Sequence, residues 1–240
     1  MSVICNDPAE FLRSVPGGPK QKRKKAGAEE KICLPGGTAL VGAQEGTGRT
    51  INSKGCIMGK ISVETCEIEG LKIITPAVFG DERGYFYESY HYEAYKEAGI
   101  DQIFVQDNQS SGSRGVLRGL HFQKQYAQDK LVRAIKGEVF DVAVDLREGS
   151  PTFGKWHGVI LSEKNKKQFF VPKHFAHGYL VLSDYAEFCY KCTDFYHPGD
   201  EGGIAYDDPA IGIEWPVPED MELIMIERDR NWGGLDSFKR

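Results

Sequence analysis

Two side chains near the middle of the chain could support the removal of a proton from a carbon atom. His121 lies in a predicted short strand between glycines and close to two arginines, and an imidazole can act as a general base near neutral pH. Lys130 follows nine residues later, on what we expect to be an adjacent strand, and its ammonium could stabilise an oxyanion formed beside a ketone. A packed histidine and a surface lysine are the ordinary alternatives.

Two tyrosines and an aspartate further along the chain could complete such a reaction. Tyr190 and Tyr196 are six residues apart, so a regular strand would place both phenols on one face. A phenol inside a barrel could return a proton from the side opposite the histidine. Asp229 ends a short apolar stretch and could hold a histidine tautomer. Core tyrosines and a solvated loop aspartate remain the alternatives.

Arginines and histidines elsewhere could bind a charged ligand. The planar guanidinium groups of Arg83 and Arg118 suit the oxygens of a diphosphate. His177 belongs to a pair of histidines three residues apart, which on a helix could bind a metal. The proline, glycine and aromatic residues around the pair predict instead a loop that enters a strand.

Short strands follow one another from Ile61 onward. Residues 139–146 alternate between an apolar face and a face that contains Asp141 and Asp145, and residues 136–138 indicate a hairpin connection to residues 131–135. Only residues 91–98 look helical. Further strands are predicted at residues 156–161, 168–171, 178–182 and 186–196. This pattern is typical of an all-β antiparallel sandwich or barrel rather than a parallel α/β sheet.

The composition limits the possible functions. The chain has 240 residues and a formal net charge of −5, which argues against a nucleic-acid partner but permits an anionic small ligand. It has no run of 18 apolar residues and no signal-type apolar segment, so we expect no membrane contact and a cytoplasmic location. Cys189 and Cys192 form a C-x-x-C spacing without a second pair, which favours structural cysteines over a zinc site.

The pattern of the chain changes near Met58. Residues 1–57 are rich in glycine, lysine and small polar residues and include a basic run at residues 20–25, which is typical of a flexible extension. Residues 58–240 are predicted to form one domain. Because organised pattern begins directly after Met58, we also hypothesise that Met58 is the natural start, and the mass of the protein from its native source tests this.

The ordered set of motifs between residues 61 and 229 resembles the dTDP-4-dehydrorhamnose 3,5-epimerase family of rhamnose biosynthesis. The matching motifs are DERGYF at 81–86, FVQDN at 104–108, GVLRGLHFQ at 115–123, KLVR at 130–133, VFDVAVD at 139–145, SPTFG at 150–154, FAHG at 175–178 and DDP at 207–209.

The resemblance implies a cupin-like jelly-roll barrel with short peripheral helices, a homodimer, and an isomerase of a dTDP-linked 4-keto-6-deoxy sugar that needs no metal or redox cofactor. It implies that His121 is the base, Asp229 its acidic partner, Tyr190 the general acid and Lys130 the neighbour of the keto oxygen. The positions implied to line the nucleotide-sugar site, or in the case of Tyr196 to lie near it, are Arg83, Glu88, Gln106, Asp107, Asn108, Arg118, His177, Tyr196, Glu201 and Arg228.

The chain departs from the family pattern near Asp229. The family usually has Ser-x-Lys-Asp where this chain has Ile226-Glu227-Arg228-Asp229, which preserves the charge but replaces a small polar residue. The loop between His121 and Lys130 is one residue shorter than in some relatives. Both changes bear on how the site residues are placed.

Three other functions remain open. An epimerase of C3 alone or C5 alone, or a ketoisomerase of a related sugar nucleotide, differs only in how the sugar ring lies. Metal-dependent cupins usually present a His-x-His pair and a following glutamate, whereas residues 120–123 contain one histidine, so three ligands are hard to assemble. A noncatalytic sugar-nucleotide binding module would lack activity in a simple assay.

Overall fold

Thirteen antiparallel strands form the framework of residues 61–238, the part of the chain that the computed structural model describes. The predictions made for residues 1–57 lie outside the described residues. The strands are β1 (Ile61–Thr65), β2 (Lys72–Pro76), β3 (Phe79–Asp81), β4 (Gly84–Phe86), β5 (Gln106–Ser113), β6 (Leu117–Gln123), β7 (Lys130–Lys136), β8 (Glu138–Asp145), β9 (Trp156–Ser162), β10 (Gln168–Val171), β11 (Phe175–Val181), β12 (Tyr185–Cys192) and β13 (Glu201–Gly203). The helices are α1 (Tyr92–Glu97), α2 (Glu227–Arg230) and a 3-10 turn at Leu235–Phe238.

Two sheets face each other across the main core. One has the order β1-β2-β10-β7-β12-β5 and the other β13-β6-β11-β8-β9, while β3 and β4 form a separate hairpin. Side chains from both large sheets, including Val132, Ala143, Phe169 and Phe188, form one buried cluster between them. The predicted all-β jelly roll with short peripheral helices is therefore confirmed. Within residues 61–238, no helix has the length and apolar character needed to cross a bilayer.

The predicted hairpin at residues 136–138 is wrong, because β7 and β8 belong to different sheets. The segment instead carries the chain from one sheet to the other. Gly137 has a φ of 70°, and a Cβ atom there would lie 2.1 Å from the carbonyl oxygen of Tyr185, so the crossing needs a glycine. The same arrangement corrects a second prediction, since Lys130 on β7 and His121 on β6 lie on facing sheets rather than on adjacent strands.

Strand β8 is buried on both faces. Its apolar face, with Val142 and Val144, packs against the C-terminal segment through Ile204 and Leu235. The opposite face points into the barrel, where Asp141 is fully buried. The alternation read from the sequence is confirmed, but the polar face proves to be an interior surface.

Strand β12 ends at Cys192, so the predicted strand through Tyr196 is wrong in its last four residues. Beyond it, the Asp194 carboxylate accepts a hydrogen bond from the backbone N–H of Phe195, and Pro198 and Gly199 follow. These residues favour a turn over a continued ladder. Tyr196 therefore reaches its position from a turn.

Candidate active site

Residues from both sheets line two cavities that share His121, Lys130, Tyr190 and Arg228. The first, here called the apolar cavity, has a volume of about 380 Å³. Its apolar wall is formed by Val116, Leu117, Tyr179, Phe188, Ile224, Met225 and Ile226. The second, here called the amide-rich cavity, has a volume of about 440 Å³. Its polar wall includes Gln106, Asn108, Gln123, Gln128, Tyr196 and Glu201.

His121 and Asp229 form a hydrogen-bonded pair. Nε2 of His121 lies 2.8 Å from Oδ1 of Asp229, and the carboxylate also accepts hydrogen bonds from the Gly119 N–H at 3.3 Å and from Arg228 Nε at 3.3 Å. Burial alone would raise the pKa of Asp229, but these hydrogen bonds and the imidazole hold it below its usual value. An ionised carboxylate can only accept, so Nε2 carries the proton and Nδ1 is the basic nitrogen.

The close approach of β6 and β11 sets the position of His121. Gly119 has a φ of 127°, and a Cβ atom there would lie 2.6 Å from the Cα atom of Gly178. Only glycine at both positions allows the strands this near. As a result His121 lies directly opposite His177 in the ladder, and both imidazoles line the apolar cavity.

Lys130 and Tyr190 enter the cavities from the six-stranded sheet, opposite His121. Among the described residues, the Lys130 ammonium has no hydrogen-bond or ion-pair partner. Burial lowers the pKa of Lys130, whereas the nearby Cys192, Asp141 and Glu201 raise it by a smaller amount. The Tyr190 hydroxyl likewise has no hydrogen-bond partner in the described part of the chain. Burial raises the pKa of Tyr190 to about 12, so the phenol keeps its proton at neutral pH.

Asp141 is a site residue to which sequence reasoning gave no role. His177 Nε2 lies 2.9 Å and 3.0 Å from its two carboxylate oxygens. Burial raises the pKa of Asp141, while His177 and Lys130 act in the opposite direction. The signal available in the sequence was an acidic residue on the inward face of an otherwise apolar strand.

Most of the predicted site residues do line one or both cavities. Arg118 lies at the apolar cavity, where its NH2 group donates to the carbonyl of Ser111 at 3.2 Å. In the amide-rich cavity, Gln106 Nε2 donates to Asn108 Oδ1 at 3.0 Å, and Gln106 Oε1 accepts from the backbone N–H of Tyr196 at 3.0 Å. The remaining members are His121, Lys130, His177, Tyr190, Glu201, Arg228 and Asp229.

Three predicted residues lie elsewhere in this chain. Asp107 is on the outer face of β5, because strand alternation turns it away when Gln106 and Asn108 point inward, and Lys191 Nζ contacts its carboxylate at 2.7 Å. Glu88 lines a separate small pocket beside α1. Arg83 is at the turn of the β3–β4 hairpin, where its side chain is 84% exposed and pairs with Asp81. None of the three lines either cavity of its own chain, so their place in the nucleotide-sugar site stays a prediction.

The departure from the Ser-x-Lys-Asp pattern falls at the start of helix α2. Ile226 is the N-cap residue and makes no side-chain cap hydrogen bond, whereas serine is among the preferred N-caps. The four-residue helix still directs Asp229 into the barrel, where it is 2% exposed. Hydrogen bonds with Gly119, His121 and Arg228 hold the Asp229 carboxylate in place without a side-chain cap.

The cysteines and acidic groups show no metal-site geometry in the described range. Cys66, Cys189 and Cys192 are free thiols, and burial raises the pKa of all three. Within residues 61–238, no three His, Cys, Asp or Glu side chains are grouped so that they could hold a metal ion.

The described part of the chain is similar to known sugar-nucleotide epimerases. The family model described as dTDP-4-dehydrorhamnose 3,5-epimerase matches residues 65–237. The dTDP-4-dehydrorhamnose 3,5-epimerase of Methanothermobacter thermautotrophicus is 54% identical over 168 residues, which are 70% of this chain and 91% of that protein.

Two solved structures show the similarity at different levels of identity. The dTDP-6-deoxy-D-glucose-3,5-epimerase of Legionella pneumophila Philadelphia 1, in complex with dTDP-4-keto-L-rhamnose, is 53% identical with a TM-score of 0.71, covering 73% of this chain and 93% of that one. A 3'-monoepimerase from Streptomyces bikiniensis, in complex with dTDP-quinovose, is 33% identical with a TM-score of 0.67, covering 71% and 86% of the two chains.

Proposed function

The chain belongs to the dTDP-4-dehydrorhamnose 3,5-epimerase family, and from that premise we propose that it inverts C3 and C5 of a dTDP-linked 4-keto-6-deoxyhexose. The predicted family and isomerase class are confirmed. One observation carries the proposal for this chain. The His121 imidazole and the protonated Tyr190 phenol line the same cavities from facing sheets, and within residues 61–238 neither His121 Nδ1 nor the phenol has a hydrogen-bond partner.

His121 begins the reaction by removing a proton. The C4 ketone makes the protons on C3 and C5 acidic, because their loss gives an enolate. The Nδ1 atom of His121 accepts the proton, since its Nε2–H is held by Asp229 at 2.8 Å. The nearby carboxylate stabilises the imidazolium that results.

Lys130 stabilises the enolate. Its ammonium lines both cavities and makes no hydrogen bond or close ion pair with the described residues, so its donors are available to the O4 oxyanion. A charge held in a partly desolvated site interacts more strongly than it would in water. Lys130 therefore lowers the barrier where negative charge develops.

Tyr190 completes the inversion from the opposite sheet. Its phenol, with a pKa of about 12, donates a proton to the carbon on the face away from His121. The C–H bond broken on one face is replaced by a C–H bond on the other, and solvent returns a proton to the phenolate and takes one from the imidazolium. Repetition at the second carbon completes the double epimerisation.

The two cavities suit the two parts of the substrate. The 6-deoxy sugar, with its methyl group, fits the apolar cavity that contains His121, Tyr190 and His177. The amide groups of Gln106 and Asn108 in the other cavity complement the carbonyl and imide groups of a thymine base. The guanidinium groups of Arg118 and Arg228 suit the diphosphate between them.

The product formed in deuterated water tests the proposal. We expect NMR spectra of the product from the thymidine-linked 4-keto-6-deoxyglucose to show deuterium at C3 and at C5 and inversion at both carbons. Deuterium and inversion at one carbon would favour the single-centre alternative, which the similarity to a 3'-monoepimerase keeps relevant. No incorporation at either carbon would contradict epimerase activity.

We also propose that the active enzyme is a homodimer in which Arg83 and Glu88 serve the partner's cavity. Arg83 is exposed in its own chain on a hairpin whose Phe79, Tyr85 and Phe86 are each more than half exposed. Adjacent exposed aromatic residues are typical of an interface. The predicted cytoplasmic location and the predicted lack of nucleic-acid and membrane partners stay predictions.

A mixing experiment tests this arrangement. Arg83→Ala and His121→Ala should each be nearly inactive, but co-expression at equal levels should restore about a quarter of wild-type activity. Half of randomly assembled dimers are mixed, and one of their two sites contains both native residues.

Arg114→Ala is the control for Arg83→Ala. It removes an arginine that pairs with Asp220 on the surface, and this variant should be active without mixing. Failure of the mixed Arg83→Ala and His121→Ala sample to recover activity would contradict a shared site.

A further inference from the structure

Trp232 lies behind the proposed active site and contacts two of its charged groups. Its ring is edge-on to His121, with 6.4 Å between the ring centroids and 74° between the planes. The Arg228 guanidinium carbon lies 5.7 Å from the centre of the indole. Trp232 itself is not among the residues that line either cavity, so any influence on the substrate passes through these two neighbours.

The backbone makes room for this indole. A Cβ atom on Gly203 would lie 2.2 Å from Trp232 Cε2, so a larger residue would displace the ring. Gly203 pairs with His121 in the ladder between β13 and β6. The indole therefore packs against the strand pair that carries the proposed base.

The hydrogen bonding of Trp232 does not account for its presence. Its Nε1–H is buried and has no hydrogen-bond partner in the described part of the chain, and a buried unpaired donor costs stability. A phenyl ring would fill part of the same space without that cost. The advantage of the indole must come from what its ring contacts.

Arg228 is the contact that most needs support. Its guanidinium donates to Glu201 through NH1 and to Asp229 through Nε, and Glu201 Oε1 lies 3.9 Å from His121 Nδ1. The Arg228 side chain is 47% exposed, so the two carboxylates hold it at its edge while one face remains open. An aromatic face near the guanidinium restricts its motion through cation–π attraction.

We propose that Trp232 is a positioning residue that fixes the His121 ring and the Arg228 guanidinium relative to each other. The inference rests on the proposed function, in which Nδ1 of His121 must meet the C3 and C5 protons. A misplacement of a catalytic group by about 1 Å can lower the rate by about 100-fold. A partial loosening of the His121 ring should lower the rate by less.

The test compares Trp232→Phe with Trp215→Phe in the full-length chain. Trp215 lies in the C-terminal segment that packs against β8, where its Nε1 donates to the carbonyl of Tyr206 at 2.8 Å. Trp232→Phe should lower kcat for the deuterium exchange about tenfold with little change in KM. Trp215→Phe should keep kcat but lower Tm more, because it loses a hydrogen bond that Trp232→Phe does not. A wild-type kcat in Trp232→Phe, or kcat losses that follow the Tm losses in both variants, would overturn the proposal.

A second measurement separates this inference from the proposed function. In proton–nitrogen spectra, the Nε–H signal of Arg228 should be sharp in the wild type because it donates to Asp229 at 3.3 Å. It should broaden or exchange faster with water in Trp232→Phe, but not in Trp215→Phe. This readout needs no substrate, so it decides the positioning role even if the wild-type chain shows no exchange at C3 or C5. An unchanged Arg228 signal in Trp232→Phe would refute the role.

Discussion

His121→Ala is expected to lower the rate of deuterium exchange at C3 and C5 by about 10⁴-fold, the upper end of the range for a general base. That loss corresponds to about 5 kcal/mol of activation free energy. The enolate forms only when a base removes the first proton. That base is Nδ1 of His121, because the other ring nitrogen, Nε2, is hydrogen-bonded to the buried carboxylate of Asp229. Solvent water would have to replace it without a fixed position. Exchange measured by NMR in deuterated water reports this step directly.

The control is His157→Ala. His157 lies on β9 and packs against Phe169, with 5.9 Å between the ring centroids, and it lines neither cavity. Its replacement should lower Tm but leave the exchange rate of the folded protein near that of the wild type. Rapid exchange in a folded His121→Ala variant would remove His121 from its assigned role and direct attention to His177, its cross-strand neighbour.

Local patterns predicted the strands well because each strand is defined by its own residues. Strand β10 has the predicted bounds, and α1 begins and ends within one residue of the prediction, with His91 as the cap whose side chain accepts from Ala94 N–H. The alternation in β8 was also correct. Period-two alternation alone could have excluded Asp107, since it lies between two inward-facing residues.

The pairing of strands was harder to predict because it depends on distant residues. Residues 136–138 look like a hairpin turn, but the ladder partners of β7 are β10 and β12, which lie more than thirty residues away. At the crossing, the Glu138 backbone N–H donates to the Ser183 hydroxyl at 2.8 Å, and the Tyr185 carbonyl leaves no room for a Cβ atom on Gly137. Turn-forming residues predict that the chain bends, but they do not predict which sheet the next strand joins.

The site residues fall into three groups by how much the sequence says of them. His121, Lys130 and Tyr190 belong to recognisable motifs and are brought together by the fold. Helix α2 has four residues, too few for a helical period, so the burial of Asp229 could not be predicted. Trp232 and Gly203 meet only through the folded chain, and the proposed role of Arg83 depends on a second copy that the sequence of one chain does not reveal.

Tyr190→Phe should separate proton removal from inversion, with epimer formation falling about 10³-fold while deuterium exchange falls far less. His121 can still form the enolate, and its imidazolium, after exchange with solvent, returns deuterium to the same face. The starting material therefore becomes labelled without inversion. The size of the loss follows from the usual contribution of a general acid, about 10² to 10⁴-fold.

The environment of Tyr190 makes this separation clean. Burial holds its pKa at about 12, so the phenol is protonated throughout the neutral range and remains a donor as the pH rises toward that value. Phenylalanine preserves the ring contact with Phe188, at 6.2 Å between centroids, and no hydrogen bond within the described residues is lost with the hydroxyl. Tyr185→Phe is the matched control, because this exposed residue on the same strand contacts Glu187 and lines neither cavity. Equal and slight effects of Tyr190→Phe on exchange and on epimer formation would show that the proton for inversion comes from another group.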